Sequence, residues 1–366
     1  MRGICYNTLR TADVRISDRV VTRNRTGQSE GVPGLEVFRW IEQQLTPQPC
    51  STDVLIYDDM ESQSGYSLPI IYQPFDGTKE SHWADRGATY DFLDATGGEN
   101  QTLLDFGPGD GWPSLLVAPF SRKVVGLDSS RKRVKVCREN ARRLGITNAD
   151  FISYEASAAL PLRRDSFDGI TAASSVEQAP DPRGILAEFH RILRPGGRLR
   201  ICYEDLARYQ EGRQQAMWIS DLDQQTCKIL LYDRNIPCEN VIQYAITLAM
   251  PRQELLERLG SRSPTFCHLT LSLLKQVEPM VVKTRRSRTI HPSGKTWAHW
   301  LKDLGFSQVM PTHSGKRAAI AMYRWFSDAK RPRNMADVDD TIRPAVRLAV
   351  NLECPLELNP HITAVK

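Results

Sequence analysis

The sequence predicts an α/β protein built on a doubly wound, mostly parallel sheet, and three observations carry that prediction. Within residues 101–131, QTLLDFGPGDGWPSLLVAPFSRKVVGLDSSR, an apolar run (Leu103, Leu104, Phe106) empties into a glycine turn at Gly107, Gly109 and Gly111, and a second run (Val124, Val125, Leu127) ends on Asp128. Strand, tight turn, helix, strand and carboxylate in that order is how an open α/β sheet grips an adenosine ribose. Val134, Cys137, Ala141 and Leu144 then fall on one face of a helix that Ser129 or Ser130 can cap and Gly145 can end. Finally, 366 residues with 41% hydrophobic content suffice for a core of about 200 residues plus additions.

Residues 1–30 hold Arg2, Arg10, Arg15, Arg19, Arg23 and Arg25 without a steady period and are expected to form a mobile tail, an RNA-binding arm being the alternative. Residues 31–100 are read as an N-terminal helical cover. In it Leu35, Phe38, Ile41 and Leu45 recur at helical spacing before Pro47 and Pro49, a second helix spans about Trp83 to Leu93, and Tyr66, Tyr72 and Trp83 either line a site or fill the core. The binding core occupies 101–205. Its basic helix, Arg131 to Arg143, is a solvated face or, alternatively, a phosphate-contacting stripe.

Residues 206–290 form an inserted α+β lid or dimer element, with helices near Met217–Leu231 and Glu254–Leu259 and strands at Val241–Leu248 and Val281–Ile290. Lys283, Arg285, Arg286 and Arg288 in the last strand protect a sheet edge or bind an anion. Residues 291–327 complete the core through the helix of Trp297, Leu301 and Leu304, with FSQVMPTH and AAIAMYRWF as the last two strands; 328–366 is a C-terminal tail.

The charge balance of 48 basic and 43 acidic residues, a net +5, is too mild to imply nucleic acid. Eight cysteines without a C-x-x-C pair point to buried free thiols in a reducing compartment, and no ligand spacing supports a metal. No apolar run reaches the roughly 18 residues that span a bilayer, and no signal-peptide core opens the chain, so a cytoplasmic protein without membrane contact is expected.

The loop chemistry sorts the ligands. Glycines allow close backbone approach, and Pro113 suits a helix's first turn. Asp105 and Asp110 oppose a pyrophosphate but suit a ligand with a cationic amino group and a sulfonium, which points to S-adenosyl-L-methionine rather than a dinucleotide.

Over 78–205, and more weakly over 294–326, the chain resembles the class I (Rossmann-like) S-adenosylmethionine-dependent methyltransferases. The resemblance implies a seven-stranded sheet with two antiparallel edge strands. It implies that Asp105, Gly107, Gly109 and Gly111 hold the methionine part and that Asp128, with Ser129 beside it, takes the ribose hydroxyls. Glu155-Ala156 would lie by the adenine, and Ser174 in SFDGITAASSVEQAPDP completes the cofactor-binding set. Helix, Pro195-Gly196-Gly197 and strand in AEFHRILRPGGRLRICYED are a further family mark. At Gln178 many small-molecule members carry histidine, a departure on the acceptor side.

Methyl transfer from a sulfonium needs alignment and exclusion of water, plus a base where the acceptor is a hydroxyl or amine. Glu177, Glu204, Asp205, His291 and His313 fall near strand ends; His291 and His313 are the leading pair, since imidazole titrates near neutral pH. A small-molecule acceptor under the lid is expected. RNA, a protein acceptor, a non-catalytic adenosine-ligand module and homodimerisation through the insertion are the alternatives.

Overall fold

The computed structural model describes residues 33–56, 74–155, 159–208, 212, 214–356 and 360–366. The arginine-rich segment, Tyr66, Tyr72 and Ala156 lie outside them. Along the chain come α1 (Pro33–Trp40) with a π-turn to Leu45, β1 (Gln48–Pro49), α2 (Thr52–Leu55), α3 (Glu80–Ala95), β2 (Thr102–Phe106), α4 (Ser114–Val117), β3 (Lys123–Asp128) and α5 (Arg131–Arg143). Then follow β4 (Ala149–Ser153), β5 (Phe167–Ala173), α6 (Pro182–Ile192), β6 (Leu193–Cys202), β7 (Gln215–Asp221), β8 (Cys227–Asn235), β9 (Asn240–Leu248) and α7 (Arg252–Leu259). The chain closes with α8 (Leu271–Val277), β10 (Val281–Ile290), α9 (Gly294–Asp303), β11 (Ser307–Pro311), α10 (Gly315–Trp325), α11 (Met335–Asn351) and β12 (His361–Val365).

Seven strands make one sheet in the order β11-β12-β6-β5-β2-β3-β4. Strands β6, β5, β2, β3 and β4 are parallel, while β12 runs antiparallel to both of its neighbours. The expected doubly wound sheet is therefore present. Apolar side chains cover both faces: Leu104, Ile170, Leu186, Phe189, Leu199 and Trp297 pack on one side, and Leu103, Val124, Trp83, Leu93 and Ile342 on the other.

Two expectations at the chain's end are corrected. AAIAMYRWF is helical, within α10, and the last strand comes from the segment read as a tail. Ser314 caps α10 by accepting from the Arg317 N–H, and the alanine-rich sequence favours helix. Small residues then let α10 lie tight on α3: a Cβ on Gly87 would come 2.5 Å from the Ala319 Cβ and 2.7 Å from the Gly315 carbonyl. Residues 328–366 also supply α11, whose Val338, Ile342 and Val346 are buried.

A second, five-stranded sheet has the order β1-β10-β9-β8-β7. The helix expected at Met217–Leu231 is instead the β7–β8 hairpin. Both faces of β8 are largely buried, so its apolar run lacks the alternation of buried and exposed positions. Met217, Ile229, Leu231, Tyr244 and Ile246 pack against α1, α7 and α8, while Leu230 and Ala245 pack against Leu55 and Ile56. The N-terminal cover is also divided, since β1 pairs with β10 whereas α3 belongs to the first sheet. Trp83 is fully buried, donates its indole N–H to the Gly77 carbonyl at 2.9 Å and packs edge-on to Tyr323. It is a core residue.

One buried ion pair ties these layers together. Arg200 of β6, wholly buried, donates to both carboxylate oxygens of Asp91 on α3 at 2.8 and 2.9 Å, to Thr363 at 3.1 Å, to the His313 carbonyl at 3.2 Å and to Thr312. Asp91 also accepts from the Gly315 N–H at 2.5 Å. Removing one partner leaves a buried charge uncompensated, so Asp91→Ala should lower unfolding free energy by about 3–5 kcal/mol in denaturant melts.

Candidate active site

The glycine turn follows β2, at the carboxyl end of the parallel strands. Gly107, Gly109 and Gly111 take φ of +73°, +59° and +109°, a region costly for residues with a Cβ. A Cβ on Gly107 would also lie 2.4 Å from that of Ser175, whose hydroxyl donates to the Phe106 carbonyl at 2.6 Å. The buried face of α5 holds the turn from below: the Cys137 thiol donates to the Gly109 carbonyl at 3.3 Å, and the Asn140 amide to the Asp110 carbonyl at 2.8 Å.

Asp105 and Asp128 flank the turn. Asp105 is buried and accepts from the Ser114 N–H and hydroxyl (3.0 and 2.5 Å) and from the Thr171 hydroxyl (3.2 Å), fastening α4 and β5 to β2. Asp128 accepts from the Ser130 N–H at 2.9 Å and the Gly109 N–H at 3.3 Å. Burial pushes both carboxyls up to about 6; the hydrogen bonds only partly offset it, and the charge of Asp128 adds to the rise at Asp105. The charge of Asp53 on α2 raises Asp128 further.

Beyond β5 and β6 lies a second acid group. Glu177 is 1% exposed, and its Oε1 accepts from the Glu204 N–H at 2.8 Å. Burial, with Glu204 nearby, pushes Glu177 up to about 8; burial against the field of Arg234 brings Glu204 to about 7. His291 meets this pair from the second sheet, its Nδ1 3.5 Å from Glu204 Oε2 and its Nε2 3.1 Å from the Thr289 hydroxyl. Burial and Arg234 push the imidazole down to about 3, so it is neutral at neutral pH and the contact is no ion pair.

The strand registers explain this meeting. Arg234, Val241 and Thr289 stand opposite one another across β8, β9 and β10, on one face of the sheet. That face also carries buried Lys228, Gln243 and Ser287, and α2 crosses it: Thr52 bonds Ser287 at 3.2 Å, Lys228 donates to the Leu55 carbonyl at 3.3 Å and Arg285 to the Val54 carbonyl at 2.9 Å. At one end of this face His291 and Arg234 bear on Glu204 at the acidic edge of the parallel sheet.

Comparison with known proteins bears on the turn and its sheet. A family model described as a methyltransferase domain matches residues 104–201. The core is a class I methyltransferase domain. The chain is 37% identical over 116 residues to "Methyltransferase GfsG" of Streptomyces halstedii, covering 31% of this chain and 40% of that one. It is 31% identical over 162 residues to a demethylmenaquinone methyltransferase of Tropheryma whipplei, covering 41% and 62%. It thus spans between 40% and 62% of those relatives' lengths. A solved S-adenosylmethionine-dependent methyltransferase from Clostridium acetobutylicum aligns over 78% of this chain and 91% of that one, at 12% identity and a TM-score of 0.45.

The methyltransferase domain suits the donor its family uses. Two desolvated carboxyls beside an open glycine turn favour a cationic ligand, and Asp128 keeps lone pairs beyond its two backbone bonds for a ribose diol. Ser129 is half-buried next to Asp128, Ser174 lies beyond β5 at φ +50°, and Glu155 is exposed at the end of β4. The two histidines do not form a pair. His313 lies past β11, two strands out from β6, its N–H donating to the Ala349 carbonyl and its own carbonyl accepting from Arg200. Asp53, Arg234, Cys137 and Asn140 had no motif to mark them; only the fold brings them to the turn and the acids.

Protonating Asp105 and Asp128 removes the charge a cationic donor meets. Donor affinity measured by calorimetry should therefore be full above pH about 6 and fall as pH drops through it. Asp128→Ala should weaken donor binding by about 1–3 kcal/mol, the scale of a lost charge-assisted bond.

Proposed function

We propose that the protein transfers methyl groups from S-adenosyl-L-methionine to a small-molecule acceptor held between the two sheets. The observation that carries this reading is that Arg234 and His291 of the second sheet meet Glu204, in the acid pair beyond β5 and β6, on the same sheet edge as the glycine turn. Such an interface excludes water and holds a few fixed polar groups, which is what an enclosed acceptor requires. Relatives named for small molecules, including a demethylmenaquinone methyltransferase and a 27-O-demethylrifamycin SV methyltransferase, support it. In this reading Asp105, the three glycines, Asp128, Ser129, Glu155, Ala156 and Ser174 hold the donor, and the inserted strands act as the lid.

The basic groups considered for RNA are partly spent inside the protein. Arg133 is buried, Arg138 donates to the Phe151 carbonyl, Arg285 to the Val54 carbonyl and Arg286 pairs with Glu42 at 2.8 Å. Among the described residues no helix is long and apolar enough to cross a membrane.

Incubation with methyl-labelled donor and a fractionated cell extract should place label in a low-mass fraction, and Gly109→Val should abolish both donor binding and labelling while the fold persists. Label appearing only in RNA or protein would overturn the small-molecule reading.

A further inference from the structure

We propose that Glu177 is the catalytic base of this site, taking the proton from a neutral hydroxyl on the acceptor, and that Glu204 and His291 position it. The inference rests on the methyltransferase reading above and adds the acceptor's chemical class and the residues that serve it.

The placement comes first. Glu177 lies two residues after Ser175, whose hydroxyl bonds the Phe106 carbonyl and whose Cβ abuts Gly107, so the turn bearing Glu177 is fastened to the glycine turn. Strands β2 and β5 are neighbours in the sheet, which puts Glu177 at the donor's edge.

The unused atoms come second. One carboxylate oxygen of Glu177 takes the Glu204 N–H, but Oε2, though buried, has no hydrogen-bond partner among the described residues; nor do Gln178 Oε1 and His291 Nδ1. A single backbone bond needs only an amide oxygen, and glutamine would supply it without the cost of burying an acid. The second, unsatisfied oxygen is what an acceptor's O–H would meet.

Proton affinity agrees with this geometry. Glu204 and Cys202 face Glu177 from β6, and His291 and Arg234 face Glu204 from the second sheet. Burial and the neighbouring acid bring Glu177 to about 8, near working pH, where a general base is most effective. The imidazole, neutral in this environment, is too weak a base itself and packs against Glu204 at 3.5 Å. An anionic acceptor would be repelled by the pair, whereas a neutral hydroxyl is not.

The bound donor supplies a methyl group already activated on sulfonium. With Glu177 ionised, the acceptor's O–H bond breaks and its proton passes to Glu177 Oε2, the new O–CH3 bond forms, and the S–CH3 bond breaks with its electron pair left on sulfur.

The test is Glu177→Gln in the full chain. Turnover of the labelled acceptor should fall about 100-fold or more, and the limb of the wild-type pH–rate profile that rises through about 8 should vanish. Donor affinity by calorimetry should stay within about twofold. Glu204→Gln and His291→Ala should shift that limb rather than abolish it. Independently of turnover, carbon-13 NMR of glutamate-labelled protein should show a carboxyl titrating at about 8 that Glu177→Gln removes. Unchanged turnover and profile in Glu177→Gln, or no such carboxyl in the wild type, would overturn the proposal. Where Glu177→Gln fails to fold, Glu177→Asp should keep the titration and lose turnover; full turnover there overturns it equally. Wild type that binds no donor would instead refute the underlying methyltransferase reading.

Discussion

Desolvation of acids along one edge of the parallel sheet is the constraint from which the rest of the site follows. Asp105, Asp128, Glu177 and Glu204 stand at the ends of β2, β3, β5 and β6, and at each of them burial is the largest influence on proton affinity and raises it. Backbone N–H groups and hydroxyls offset that cost only in part. Such an edge is unfavourable by itself and is relieved by positive charge, so it selects a cationic ligand where a dinucleotide would meet repulsion. The edge holds two groups of acids. Acids at β2 and β3 lie beside the glycine turn, and acids at β5 and β6 face the second sheet.

The second sheet covers the Glu177–Glu204 end of the edge. Its outer face is an ordinary apolar layer under α1, α7 and α8. Its inner face is mixed: Leu230 and Ala245 pack under Leu55 and Ile56, while Arg234 and His291 reach Glu204. The Arg200–Asp91 pair plays the complementary part within the core, locking β6 and β12 to α3 and α10 so that the strand ends keep their places.

What the sequence revealed was mostly local. Residues 101–145 were legible because each signal, from the apolar run to Ser130 and Gly145, lies within a few residues of what it governs. The strand at 281–290 was legible for the same reason. The β7–β8 hairpin was not, since a strand buried on both faces loses the alternation that marks a strand. The last strand, His361–Val365, pairs with β6, about 160 positions earlier in the chain, and no local pattern encodes that partner. His291 and His313 were grouped by residue type, but burial gives the first a neutral ring against Glu204, and the second is held by its main chain near Arg200. Arg234 and Asp53 reach the site from distant segments, and only the fold shows it.

The most direct measurement is a crystal structure with S-adenosylhomocysteine, the donor stripped of its methyl group. The expected result has the ribose hydroxyls on Asp128 and the sulfur turned toward Glu177 and the inner face of the second sheet. A nucleoside lodged away from the glycine turn, or a sulfur directed away from Glu177, would contradict it.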